Sequence, residues 1–173
     1  PGAALPPGTG GAPTEAVDPP PGRAEIPPES APAGAFAGVV EAALAFRGVP
    51  YVNGGSDPSG FDCSGLVQYV FGQHGTPMPR EVRDQYRTGW KVDRRDVQPG
   101  DLVFFRTVGR GASHVGVALG DGQFVHAPSS RGVVRVERYD GPYWSSRFVG
   151  ARRVDGAAPA AHQGLPGTVR PTN

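Results

Sequence analysis

The chain has 173 residues, a net charge of +1, one cysteine and 20 prolines, ten of them in residues 1–33. That length allows one domain with a real core. No apolar run reaches membrane-spanning length, and the charge is too small to argue for nucleic acid as a partner.

Residues 1–33 form a Pro/Ala/Gly-rich arm with no aromatic residue, and residues 155–173 have a similar composition. Neither has enough apolar surface to offset the entropy of ordering, so both are expected to be a flexible linker and tail around a domain at 34–154. The arm carries Arg23 against Glu15, Asp18, Glu25 and Glu29, a net −3, and the tail balances Asp155 against Arg170, which leaves the domain at +4. Such mild basicity suits an anionic polymer. The chain starts at Pro1 without a methionine. Behind such an arm, this reads as an exported protein whose signal segment has been removed.

Within the domain, helices come first. Phe36, Val39, Val40, Ala43, Leu44 and Phe46 recur at helical spacing, with Gly48 behind them, and predict a helix over 36–47. Residues 49–52 read as a short extended piece, 53–55 as a turn and 56–60 as a loop. Asp62 is a good N-cap, so a helix is expected to start with Cys63 in its first turn and to run to about residue 73 or 74, with Gly75 as its stop. Residues 76–80 are an extended connector and 81–88 a short polar helix. Strands follow at 102–105, 114–119, 123–126, 133–138 and 147–154, with Gly120-Asp121-Gly122 as a hairpin turn. Helices followed by antiparallel strands make the α+β class.

Cys63 carries the chemistry. A lone cysteine is ordinarily a small buried hydrophobe, but a helix N-terminus favours the thiolate, which is the nucleophile. Two of the four histidines lie on adjacent strands. His114 opens one and His126 closes the next, both toward the same end of the sheet. They should not be directly opposite each other. His114 shares a face with Gly116 and Ala118, which leaves room for a helix to pack there. The arrangement suggests Cys63 as nucleophile, His114 as base and His126 holding the far nitrogen of His114. The helix N-terminus would receive the oxyanion, and a thiolate–imidazolium pair would lower the thiol pKa. His74, at a helix end, and His162, in the tail, read as solvated surface. A zinc site of Cys63, His114 and His126 lacks the usual ligand spacing. G-x-S-x-G is absent, and no glycine cluster fits a phosphate-binding fingerprint. Neither a metal nor a cofactor is expected.

Six segments carry a family resemblance. They are Val49-Pro50-Tyr51-Val52-Asn53-Gly54-Gly55, Phe61 to Val67, Met78-Pro79-Arg80, Val97 to Phe105, Ser113 to Val117, and Phe124-Val125-His126-Ala127. In this order, over nearly all of 36–154, they resemble the NlpC family of bacterial cell-wall cysteine peptidases. The resemblance implies a papain-like fold, with the cysteine at a helix N-terminus packed on a five- to six-stranded antiparallel sheet. It also implies a peptidoglycan hydrolase, an endopeptidase that cuts stem peptides between γ-D-glutamate and the diamino acid.

By the same resemblance Cys63 is the nucleophile, His114 the base and His126 the orienting residue. Tyr51, Asp62 and Ser64 bind substrate, including a free amino terminus. Asp62 would serve as both cap and ammonium partner, one oxygen for each. Arg80 could meet a substrate carboxylate but reads first as surface, and Trp90 and Trp144 as core or groove rim. The partners expected are stem peptides, with no nucleic acid and no membrane-spanning segment, and the protein is expected to be a monomer. Two other readings stay open: an acyl- or amide-transferring relative with an apolar groove, and a wall-binding module without catalysis.

Overall fold

A computed structural model describes residues 36–130 and 132–154. The arm at 1–33 and the tail at 155–173 lie outside the described residues. Helix α1 spans Ala37–Ala45 and buries Val39 and Ala43 on one stripe. It stops at Phe46, ahead of Gly48 with φ +87°. Helix α2 spans Cys63–Gln73 and buries Leu66, Val67, Val70 and Phe71. These positions recur at helical spacing and form one buried stripe. The Asp62 side chain accepts from Gly65 N–H at 2.7 Å, as an N-cap should. Helix α3, Val82–Gln85, is shorter than the expected 81–88. Gln85 turns inward instead of facing water. It is fully buried and donates to the carbonyls of Ser64 (2.9 Å) and Pro79 (2.8 Å).

Six strands form one antiparallel sheet: β3 (Trp90–Val92), β4 (Leu102–Phe105), β5 (His114–Gly120), β6 (Gln123–His126), β7 (Arg135–Arg138) and β8 (Phe148–Arg153). Their spatial order is β3-β8-β4-β5-β6-β7. The α+β class holds. β3 was not legible because Trp90-Lys91-Val92 is only three residues, too short for an alternation to show. The segment expected as a loop at 56–60 contains a small hairpin, β1 (Ser56–Asp57) with β2 (Gly60–Phe61). β7 starts two residues late because Val134 exchanges hydrogen bonds with the 48–49 backbone instead. A one-turn helix α4, Pro142–Ser145, was also missed.

The sheet is covered on both sides. Leu102, Phe104, Val115, Val117 and Val125 face α1 and α2. Val103, Phe105, Ala118, Phe124 and Ala151 face the other way, with Tyr139 and Trp144 on top of them. Double coverage explains why β4 reads Leu-Val-Phe-Phe with no polar alternation. Each such side chain, fully buried, stabilises the fold by roughly 1.5–3 kcal/mol. Asp101, 1% exposed, is clamped by Arg153 through two 2.8 Å bonds, which ties the entry of β4 to β8. Among the described residues no helix is long and apolar enough to cross a membrane.

The open face beside His114 is filled differently from the expectation. The long helices pack on the Val115 and Val117 side. The space at Gly116 is taken by β6: a Cβ there would stand 2.6 Å from Phe124 and 3.0 Å from His126 Cβ. What packs against the ring of His114 is Trp144 from α4.

Candidate active site

Cys63 is the first residue of α2 and is half-buried. Gly65, one turn in, has no room for a side chain against the carbonyl of Gly55, so the helix end seats tightly on the 52–62 segment. The backbone N–H groups of Val115, Ser64 and Cys63 face the sulfur and favour the thiolate. Burial works harder in the opposite direction. With the Asp62 carboxylate beside it, it pushes the thiol up to about 11. The lowered thiol pKa expected from the helix end alone is therefore outweighed.

His114 and His126 meet ring to ring. His114 Nε2 lies 2.7 Å from His126 Nδ1, with the rings near perpendicular at 87°. The register pairs Val117 with Val125 and Ala118 with Phe124, so the two histidines are diagonal neighbours, as expected. His126 is fully buried and His114 nearly so. Burial, followed by the neighbouring His126, pushes His114 down to about 3. Burial likewise lowers His126. Both rings are therefore neutral at neutral pH. Among the described residues no hydrogen bond joins Cys63 to His114. The link runs through Val115, the next residue, whose N–H faces the sulfur. With Nε2 occupied, Nδ1 is the nitrogen of His114 left free to move a proton.

Behind His126 stands Glu137 of β7. His126 Nε2 lies 3.3 Å from Glu137 Oε2, though not in aligned hydrogen-bond geometry. Trp144 Nε1–H donates to the same oxygen at 2.6 Å. Arg135 Nε stands 3.1 Å from Oε1. His126 first, and Trp144 after it, hold the Glu137 carboxyl down to about 2. A cavity of about 790 Å³ opens beside this cluster, lined by His114, Glu137, Trp144, Tyr143, Ser129 and Ser130 among others.

The other three expected residues gather on the Cys63 side. Tyr51 bridges to Phe61, the residue before Asp62, and burial first, then the charges of Cys63 and Asp62, raise its pKa. Asp62 has both oxygens engaged. Oδ1 accepts from Gly65 N–H and Arg80 (3.0 Å), and Oδ2 from Gly54 N–H (3.1 Å) and Arg80 (2.5 Å). Arg80 also donates to Ser64 Oγ at 2.8 Å. The expectation that one Asp62 oxygen stays free for an ammonium is not met: Arg80 supplies that cation. Arg80, read as surface, is part of the site wall.

Sequence reasoning left Arg80 out of the site and did not single out Glu137, whereas Trp144, read as core or groove rim, is buried and lines the cavity. Glu137 was findable in principle. It and Arg135 are two apart on a strand, so they share a face with Phe124 and His126, their partners on β6.

The model of the NlpC/P60 family matches residues 48–153. The gamma-DL-glutamyl hydrolase of Bacillus subtilis (strain 168) is 46% identical over 127 residues, 72% of this chain and 30% of that protein. The murein DD-endopeptidase MepS/murein LD-carboxypeptidase of Escherichia coli (strain K12) is 44% identical over 110 residues, 63% of this chain and 57% of that one. The chain thus spans about a third and just over half of these two relatives. Among solved structures, the NlpC/p60 domain of the peptidoglycan hydrolase SagA aligns at TM-score 0.61 and 38% identity, covering 69% of this chain and 98% of that one. The peptidoglycan hydrolase RipB from Mycobacterium tuberculosis aligns at TM-score 0.60 and 32% identity, covering 69% and 64%.

Proposed function

The chain belongs to the NlpC/P60 family, and from that premise we propose that it is a peptidoglycan hydrolase, a cysteine endopeptidase of stem peptides that cuts the γ-D-glutamyl–diamino acid bond. The observation that supports the chemistry is the His114–His126 pair at 2.7 Å, set next in the chain to Val115, whose backbone N–H faces the Cys63 sulfur. The named activity of the Bacillus subtilis relative supports this choice of bond. The Escherichia coli relative, named for DD- and LD-bonds, supports the wider class of murein peptide bonds. A substrate in the wall puts the site of action outside the cytoplasmic membrane.

In this reading Cys63 Sγ attacks the scissile carbonyl carbon while His114 Nδ1 takes the thiol proton. The tetrahedral oxyanion forms at the N-terminus of α2, where backbone N–H groups are free of helix partners. His114 then passes the proton to the leaving amine, the C–N bond breaks, and a thioester remains. Water, activated by the same nitrogen, hydrolyses it. A neutral imidazole is the form in which a base must start, and burial keeps His114 in that form. Tyr51 and Ser64 line the acyl side of the groove. Asp62 holds Arg80, which presents a cation there.

The test is mass spectrometry of stem peptides incubated with the protein and with Cys63→Ala. The expected result is a new γ-D-Glu–diamino acid cleavage product with the parent alone. Cleavage only of cross-linked D,D bonds would move the activity to that of the Escherichia coli relative. No product from any stem peptide, with retained binding to isolated sacculi, would favour the binding module.

A further inference from the structure

We propose that Glu137 is a positioning residue of this site, the end of a relay Glu137–His126–His114 that fixes which nitrogen of each ring carries its proton. This rests on the reading of His114 as the base. The pattern of donors and acceptors sets the tautomers. An ionised carboxylate only accepts, so the His126 nitrogen facing it, Nε2 at 3.3 Å, is the protonated one. His126 Nδ1 is then a lone pair, and the hydrogen on the 2.7 Å contact belongs to His114 Nε2. His114 Nδ1 is left as a lone pair, the state a base requires. With the opposite tautomers, His114 Nδ1 would carry a proton and could not accept one from the thiol.

The carboxylate is held in place for this. Trp144 Nε1–H pins Oε2 at 2.6 Å, and the same indole stacks on the His114 ring, centroids 5.2 Å apart with 23° between planes. One side chain therefore locks both ends of the relay. The charged and titratable neighbours are few. Arg135 stands on the other carboxylate oxygen at 3.1 Å, His126 on the first, and Arg138 on the same strand is taken by Asp140 through bonds of 2.9 and 2.6 Å. Proton transfer creates an imidazolium in a buried setting, and Glu137 is the negative charge near enough to favour it.

The test starts with the unaltered protein. Ring ¹⁵N NMR at neutral pH should show both His114 and His126 protonated on Nε2. Finding His126 protonated on Nδ1 would overturn the proposal, and this readout does not depend on any activity. In Glu137→Ala the acceptor is gone, and both rings should become tautomer mixtures. The kcat on a stem peptide should fall roughly 10–100-fold, as partners behind a histidine usually cost, with KM within about twofold. Glu137→Gln keeps an acceptor but not the charge, so it should keep the tautomers and recover part of the lost kcat. A kcat in Glu137→Ala within about twofold of the parent would also overturn the relay. If that variant does not fold, the ring assignment in the parent still decides. If the parent shows the expected tautomers but cleaves no stem peptide, the relay stands and the substrate reading fails.

Discussion

Arg80 and Asp62 form a two-pronged ion pair at the start of α2, with N···O distances of 3.0 and 2.5 Å. The pair lies under the loop at Gly54 and beside Ser64, so it supports the cap and the backbone around it. Asp62→Asn keeps a good N-cap acceptor but loses the charge that holds Arg80. Asp62→Ala loses both and should cost about 2 kcal/mol, one part for the cap and one for the bonds to a charged group. Arg80 is one-third exposed, so Arg80→Ala should cost only about 1 kcal/mol after screening. Urea unfolding of the three variants checks the order: Ala at 62 worst, the other two milder. Equal losses for Asp62→Asn and Asp62→Ala would mean that the cap contributes nothing.

Gly116 is the position where β5 makes room for the histidine relay. An alanine there meets Phe124 at 2.6 Å, the Val125 carbonyl at 2.7 Å and His126 Cβ at 3.0 Å. All three belong to β6, so the strand must shift. We expect Gly116→Ala to cost about 1–3 kcal/mol, the usual range for overpacking, and to lower kcat more than it lowers stability would suggest, because His126 moves with its strand. Thermal unfolding alongside peptide hydrolysis separates the two effects. Full activity with a normal melting temperature would show that β6 yields without disturbing His126.

The residues that were legible in the sequence are those whose signal is local. Asp62, Cys63 and the stripe Leu66, Val67, Val70 and Phe71 declare a capped helix within ten residues. His114 and His126 flank a glycine turn, so their adjacency follows from hairpin geometry. The unread parts depend on partners far along the chain. Arg80 looks like surface until α2 and the 76–80 connector are folded together, and the buried Gln85 looks like a polar helix face until its two carbonyl partners are in place. Which helix packs on the face beside His114 was not legible for a related reason. Small residues at Gly116 and Ala118 do mark a close approach, but the approaching group is the neighbouring strand and Trp144, which no short-range pattern reveals.

Acid should weaken the fold through the relay before it weakens ordinary surface charges. His114 sits at about 3 in the folded state against 6.5 when free, and His126 is lowered as well. Groups with depressed folded pKa values contribute stability that is complete above the unfolded value and is lost as pH falls toward the folded one. Loss therefore begins near pH 6.5, at up to about 1.4 kcal/mol per pH unit for each histidine that titrates only on unfolding. Glu137, about 2 when folded against 4.5, joins in the same direction below pH 4.5. Denaturant midpoints at pH 7.5, 6 and 5 should fall steadily, and His126→Gln should flatten part of the slope. A midpoint constant between pH 7.5 and 5 would show that neither histidine is held neutral.

The thiol should be slow to alkylate in the free protein. Burial and the Asp62 carboxylate push Cys63 up to about 11, above the 9.0 of an unperturbed thiol, against the pull of three backbone N–H groups. At neutral pH the resting groups are thus thiol and neutral imidazole, and in the proposed mechanism the proton moves once substrate is bound. Iodoacetamide should react with Cys63 more slowly than with an exposed thiol at pH 7, and the rate should climb about tenfold per pH unit through pH 9, following the thiolate fraction. Asp62→Asn removes the second-largest cause of the upward shift and should raise the rate at pH 8. A fast rate already present at pH 6 and flat to pH 8 would show instead that His114 holds the thiolate as a preformed ion pair, and the neutral resting state would have to be abandoned.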